Sequence, residues 1–293
     1  MSQDNPRLGI ALMLLTTFIF AAQDGISAYL AGKYNAYLIV MIRYWFFATT
    51  VLTIAHLYQG GIRKVAASVI PKTQFFRGVL LQLEIIVTVL SFVFLGLVEA
   101  HAIFAVYPLM IAALSGLVLG ESVGWRRWLA IAVGFVGILI ILKPGFGVFS
   151  PYALIPLLGA LMFALYGLLT RYVSRFDTPA TSFFWTGIGG AVSATIIGLF
   201  FLEPLAQEDW GWMALLCVTG IAGHFTMIKC YSVIEAARVQ PFAYFQLVFA
   251  TIIGVTIFSE TLPLNTFIGS AIVVAAGIFA LIRTYLSRAP NPD

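Results

Sequence analysis

Two ionisable residues stand where ionisable residues are expensive. Glu84 lies nine residues into one long apolar run and His224 twelve into another, roughly 14 and 18 Å from where those runs begin at helical rise. At such depth in hydrocarbon a charge must face protein or water, so each is a candidate for function. Glu84 can meet a ligand ammonium or carry a proton, and an imidazole can donate, accept or titrate. The bland alternative is that the two pair, with each other or with nearby polar groups, and hold a helix bundle together. Gln82, Tyr107, Tyr166, Tyr244 and Gln246, and more weakly Gln23, lie in similar surroundings. They supply the few donors and acceptors that a binding site within apolar walls requires. Asp24 and Arg43 come out level with each other, about 6 and 9 Å from one edge of their runs, and are expected to form a structural ion pair between neighbouring helices. Lys229, near a run's end, can extend to the interface. Cys217 and Cys230 are 13 residues apart in one run and cannot bridge. No spacing suggests a metal or cofactor, and no nucleophile motif or phosphate-cradling loop is present, so an enzyme is not expected.

These side chains need elements to position them, and the composition says which kind. Of 293 residues, 61% are apolar and 10% charged, with a mean hydropathy of +1.00, whereas a soluble chain is about 25% charged. Apolar runs occur near 8–30, 37–57, 75–97, 102–119, 128–142, 152–169, 182–202, 212–233, 242–258 and 267–285. Ten helices of roughly 20 residues can each cross a bilayer. Lys and Arg gather in alternate connections: Arg7, then Arg63, Lys64, Lys72 and Arg77, then Arg126 and Arg127, Arg171 and Arg175, Arg238, and finally Arg283 and Arg288. That alternation predicts both termini in the cytoplasm. The basic balance, formally +4, therefore reflects topology, and nucleic acid is not an expected partner.

A shift of 139 residues lays Tyr107-Pro108 through Gly120-Glu121 on Gln246-Leu247 through Ser259-Glu260. Glutamate falls on glutamate, and Glu84 falls on Gly223, beside His224. Five spans per half is odd, so the halves, 1–143 and 144–293, are expected to be inverted repeats with a site between them. Glu121 and Glu260 end their runs and read as caps or gate contacts, and Pro108 as a hinge with no proline at the matching Leu247. Ala112, Gly116 and Gly120 make a small-residue stripe that favours packing within a monomer over homodimerisation.

The span count, the two halves, and the order of Pro108, small residues, Gly120-Glu121 and a glycine-bearing last helix resemble the EamA family of the drug/metabolite transporter superfamily. The resemblance covers essentially the whole chain. It implies an all-α membrane protein of ten helices and a carrier of small organic solutes in the bacterial inner membrane. Export of amino acids is the leading expectation, with uptake of riboflavin or S-adenosylmethionine as the alternative. A passive channel or an integral-membrane enzyme is the alternative of another class.

Overall fold

The computed structural model describes residues 5–119, 125–142, 151–234 and 236–286. These form helices and turns, with no strand among the described residues: α1 (Pro6–Ala31), α2 (Ala36–Tyr58), the short α3 (Ile62–Ala66), α4 (Pro71–Phe104), α5 (Tyr107–Leu119), α6 (Trp125–Leu142), α7 (Leu154–Val173), α8 (Pro179–Gly198), α9 (Trp210–Val233), α10 (Ala236–Ala243), α11 (Phe245–Ile257) and α12 (Leu264–Leu286). Among the described residues, six helical segments are long and apolar enough to cross a membrane: 6–31, 36–58, 71–104, 151–173, 179–201 and 207–233. Shorter apolar helices cover 107–116, 131–141, 245–257 and 264–276.

Local chemistry sets the helix starts. Asn5 accepts from Leu8 N–H ahead of Pro6, Asn35 from Tyr37 N–H, and Thr178 from Thr181 N–H ahead of Pro179. Each side chain satisfies a donor that has no partner in the first helical turn, and proline there loses nothing by lacking one. Bulky apolar side chains such as Phe18, Phe46, Phe135, Ile196 and Ile252 face outward, as lipid contact demands. Inside, Leu81, Ile103, Ile111 and Tyr166 are fully buried.

Interruptions in the helices matter most for the site. Within α4, Gly96 takes φ +76° and ψ 173°, a backbone state that glycine adopts readily. It falls at the end of the third apolar run. The helix restarts at Leu97, whose N–H donates to Glu260 Oε1 at 2.8 Å while Val98 N–H donates to Oε2 at 2.7 Å. A carboxylate suits these unpaired donors at the positive end of a helix. A second interruption separates α4 from α5 at residues 105–106, with Pro108 in the first turn of α5. The counterpart is Tyr244, between α10 and α11, which the 139-residue shift lays on Ala105. The second half is therefore interrupted at the matching place with Leu247, not proline, beyond it. Pro108 has no proline counterpart at Leu247, yet both halves are interrupted. Both sites close with a tight i to i+3 turn, Leu109 N–H to Val106 C=O and Leu247 N–H to Tyr244 C=O, which needs no proline.

Six of the helix pairings follow one pattern. α1 packs along α9 and α7 along α4, α1 also meets α11 while α7 meets α5, and α2 lies against α8 and α6 against α12. Exchanging α1 with α7, α2 with α8, α4 with α9, α5 with α11 and α6 with α12 returns the same set of pairs.

Candidate functional site

Six helices converge on a cavity of about 30 Å³, room for roughly two water molecules. α1 contributes Phe20, Gln23 and Asp24, α2 Arg43, and α4 Glu84, Ile85, Thr88, Val89 and Phe104. Phe163 of α7, His224 of α9 and Gln246 of α11 complete the wall. Glu84, His224 and Gln246 of the expected binding set are thus brought together around one space, joined by Asp24 and Arg43.

The hydrogen bonds define what each group can still do. Arg43 is 3% exposed. Its Nη2 donates to Gln23 Oε1 at 3.0 Å and lies 3.2 Å from His224 Nε2. A guanidinium has no acceptor, so His224 Nε2 must accept; the imidazole is then neutral with its proton on Nδ1. That Nδ1 is buried without a partner among the described residues. Glu84 accepts from Thr88 Oγ1 at 2.7 Å, one turn along its own helix, and touches no cation among the described residues. The alternative Glu84 to His224 pair is not formed.

Asp24 and Arg43 do not form the expected ion pair, although both line the cavity. Equal depth put them level, but helical direction gives each another partner. Asp24 Oδ2 lies 3.1 Å from His101 Nε2 and 3.0 Å from Gln246 Nε2, which donates to it. His101 Nδ1 faces Leu97 C=O at 3.0 Å, an acceptor that requires Nδ1–H. Asp24 thus has its contacts to His101 and Gln246 within the protein. The wall thus holds the Arg43 guanidinium and the Glu84 carboxyl group, which has no cation against it among the described residues.

The remaining expected residues lie elsewhere. Tyr107, Tyr244 and Gln246 line a neighbouring space of about 10 Å³ with His101 and Phe104. Gln82 is fully buried, and neither polar atom of its side chain has a partner among the described residues. It lines neither space. Tyr166 lines neither space; its ring meets those of Phe163 and His224 from behind the main wall, and its hydroxyl serves another cluster. It accepts from Arg77, whose five N–H donors go to Gln74, Tyr166, Thr170, the Ser182 carbonyl and Thr186. The charge pattern groups Arg77 with a polar connection, yet it is fully buried and ties α4 to α7 and α8. Its place after the apolar pair Phe75-Phe76 was the available signal. His101 was missed because it stands in what reads as a connection; α4 carries it inward beyond Gly96. Glu121 lies outside the described residues, and Glu260 holds the helix restart described above.

With this geometry in hand, kinship is informative. A sequence profile of the EamA-like transporter family matches residues 7–143 and again 150–282. The chain belongs to the EamA-like transporter family. This transporter is thus a multi-pass membrane protein and not an enzyme. It is 26% identical over 277 residues to an S-adenosylmethionine uptake transporter of Rickettsia prowazekii, covering 93% of this chain and 92% of that protein. It is 30% identical over 191 residues to a riboflavin transporter of Vibrio cholerae, covering 62% and 61%. A pseudopaline exporter of Pseudomonas aeruginosa is 25% identical over 278 residues, covering 94% and 96%. A solved crystal structure superposes on the transporter with a TM-score of 0.67 at 18% identity, covering 98% of this chain and 100% of the other, and so shares its fold.

Proposed function

We propose that this chain is a secondary carrier of the bacterial inner membrane that moves a zwitterionic metabolite with an amino-acid head group by alternating access. The observation that carries the reading is the cavity wall itself, where Arg43, bonded through Nη2 to Gln23 and His224, and Glu84, with no cation against it among the described residues, line one space. Arg43 binds the substrate carboxylate, and Glu84 its ammonium or sulfonium. Gln23, His224 and Gln246 complete the polar contacts, and Phe20, Phe104 and Phe163 give apolar walls. An amino acid, the expectation from sequence, and S-adenosylmethionine, the cargo named for several relatives, share this head group. S-adenosylmethionine is the first compound to test.

In this reading the chain crosses ten times as two inverted five-helix repeats, 1–143 and 144–293, with both termini cytoplasmic. The exchange pattern of helix pairing and the matching interruptions at 105–106 and Tyr244 support the repeat, as do the two successive family matches. The cavity is too small for a metabolite as it stands, so binding requires helices to part. The segment bearing Pro108 and its counterpart at Tyr244 act as hinges. Glu260 serves as a latch by gripping the restart of α4, and Glu121 is assigned the equivalent task in the first half.

Counterflow in proteoliposomes tests the reading. Preloaded unlabelled S-adenosylmethionine is expected to accelerate saturable entry of the labelled compound, with amino acids competing. Riboflavin driving counterflow while every zwitterion fails would refute the head-group assignment. Non-saturable flux without counterflow would mean a channel.

A further inference from the structure

We propose that the smaller cavity is a second substrate subsite, which receives a ring-bearing end of the solute through a hydroxyl or amino group that donates a hydrogen bond. The assignment rests on the zwitterion reading above and extends it to the other end of the molecule.

The two spaces adjoin through Phe104 and Gln246, which line both. Two residues that line the smaller one, Tyr244 and Gln246, each carry a buried oxygen, Oη and Oε1, with no partner among the described residues. Tyr244 is 3% exposed and Gln246 6%. Buried polar atoms without partners are uncommon because each forfeits its hydration for nothing. The orientation of Gln246 is dictated from the main cavity. Asp24 Oδ2 receives the amide Nε2, so Oε1 is the atom left over, and a carbonyl oxygen can be satisfied only by a donor. Tyr244 Oη can accept as well. Both atoms therefore await a ligand group that donates, and the flanking rings of Phe104 and Tyr107 suit a flat ring system.

Position strengthens the assignment. Ala105 and Tyr107, at the interruption between α4 and α5, and Tyr244 and Gln246, at that between α10 and α11, all line this space. Its walls are thus the two places where the helices are already loosened, and where the site can widen. A solute whose head group sits between Arg43 and Glu84 would reach across Gln246 into it. The ligand chemistry is a nucleoside: a ribose hydroxyl or an exocyclic ring amine supplies the donor, and the base lies against the aromatic walls.

The test compares two sulfonium amino acids, one with a nucleoside end and one without. The purified full-length chain in detergent is titrated calorimetrically with S-adenosylmethionine and with S-methylmethionine, as wild type and as Tyr244→Phe. The substitution removes one oxygen that has no partner, so the melting temperature without ligand is expected to stay unchanged. The Kd for S-adenosylmethionine is expected to rise about tenfold, the effect of one lost hydrogen bond, with S-methylmethionine moving by less than about twofold. An equal change for both compounds, or none for either, overturns the second subsite while leaving the head-group site intact. Wild type that binds neither sulfonium overturns the head-group reading and this subsite with it.

Discussion

Arg77 and Arg43 are both buried in apolar helices, and neither contacts a carboxylate among the described residues. Their surroundings differ in one respect. Arg77 has five N–H donors and five accepting atoms within reach, supplied by α4, α7 and α8. Arg43 makes two contacts, both through Nη2. The first is a filled knot, the second a cation with fewer contacts at the edge of a cavity. Depth and residue type do not separate a structural charge from a working one here. The number of contacts does.

The sharpest way to break that comparison is to remove each cation in turn. Arg77→Ala strands Gln74, Tyr166, Thr170, the Ser182 carbonyl and Thr186 together, and is expected to cost about 3 kcal/mol or more. Loss of monodisperse protein or a collapsed melting temperature in detergent would register it. Lysine at 77 should rescue little, since three donors cannot serve five acceptors. Arg43→Gln leaves few groups stranded and is expected to melt close to wild type. Its counterflow of a zwitterion should nonetheless fall about 100-fold, as the loss of a charge-assisted contact predicts. If the two variants misfold alike, the distinction between knot and site fails.

A smaller effect sharpens the comparison from the anionic side. Glu84→Gln preserves a group that can accept from Thr88 but removes the charge assigned to the substrate cation. The half-saturation concentration for an ammonium-bearing or sulfonium substrate is expected to rise about tenfold with the maximal rate little changed. Initial rates over a range of concentrations separate the two parameters. Normal transport at every pH would remove Glu84 from substrate binding and from proton coupling alike.

How much of this was legible in the sequence follows from what each signal measures. Apolar run length reports helices directly, so the membrane class and most helix positions could be read. Depth along a run placed Glu84 and His224 near the middle and set Asp24 level with Arg43. Depth says nothing about which way a side chain points around the helix. The Asp24 to Arg43 pair was therefore expected, whereas Asp24 turns to His101 and Gln246 and Arg43 to Gln23 and His224. His101 was hidden by the opposite problem. Gly96 looks like the end of a span, yet a positive φ lets α4 bend and resume, so a residue assigned to a connection reaches the core. Arg77 shows the limit of charge counting, because a basic residue near a span's end looks the same whether it meets lipid headgroups or five internal acceptors.

The smallest effect is expected far from both arginines, where α1 ends. Lys33 Nζ donates to Tyr29 Oη at 2.6 Å and to Asp209 at 3.0 Å, and Tyr34 Oη donates to the same carboxylate at 2.8 Å. The Tyr29 hydroxyl, followed by the Asp209 carboxylate, holds the Lys33 ammonium above the ordinary lysine range. A raised value means that the folded chain gains from the contact at every pH below the ordinary lysine value of 10.5 and loses it only as pH climbs through the folded value. Lys33→Ala should therefore lower the melting temperature slightly and by the same amount at pH 6 and pH 9, and less in high salt, because the ammonium is partly exposed and screened. Transport should be unaffected, since Asp209 keeps its two tyrosine donors and the cavity is untouched. A change in substrate affinity in Lys33→Ala would mean that this surface cluster is coupled to the site, and the boundary drawn here between structural and working charges would have to move outward.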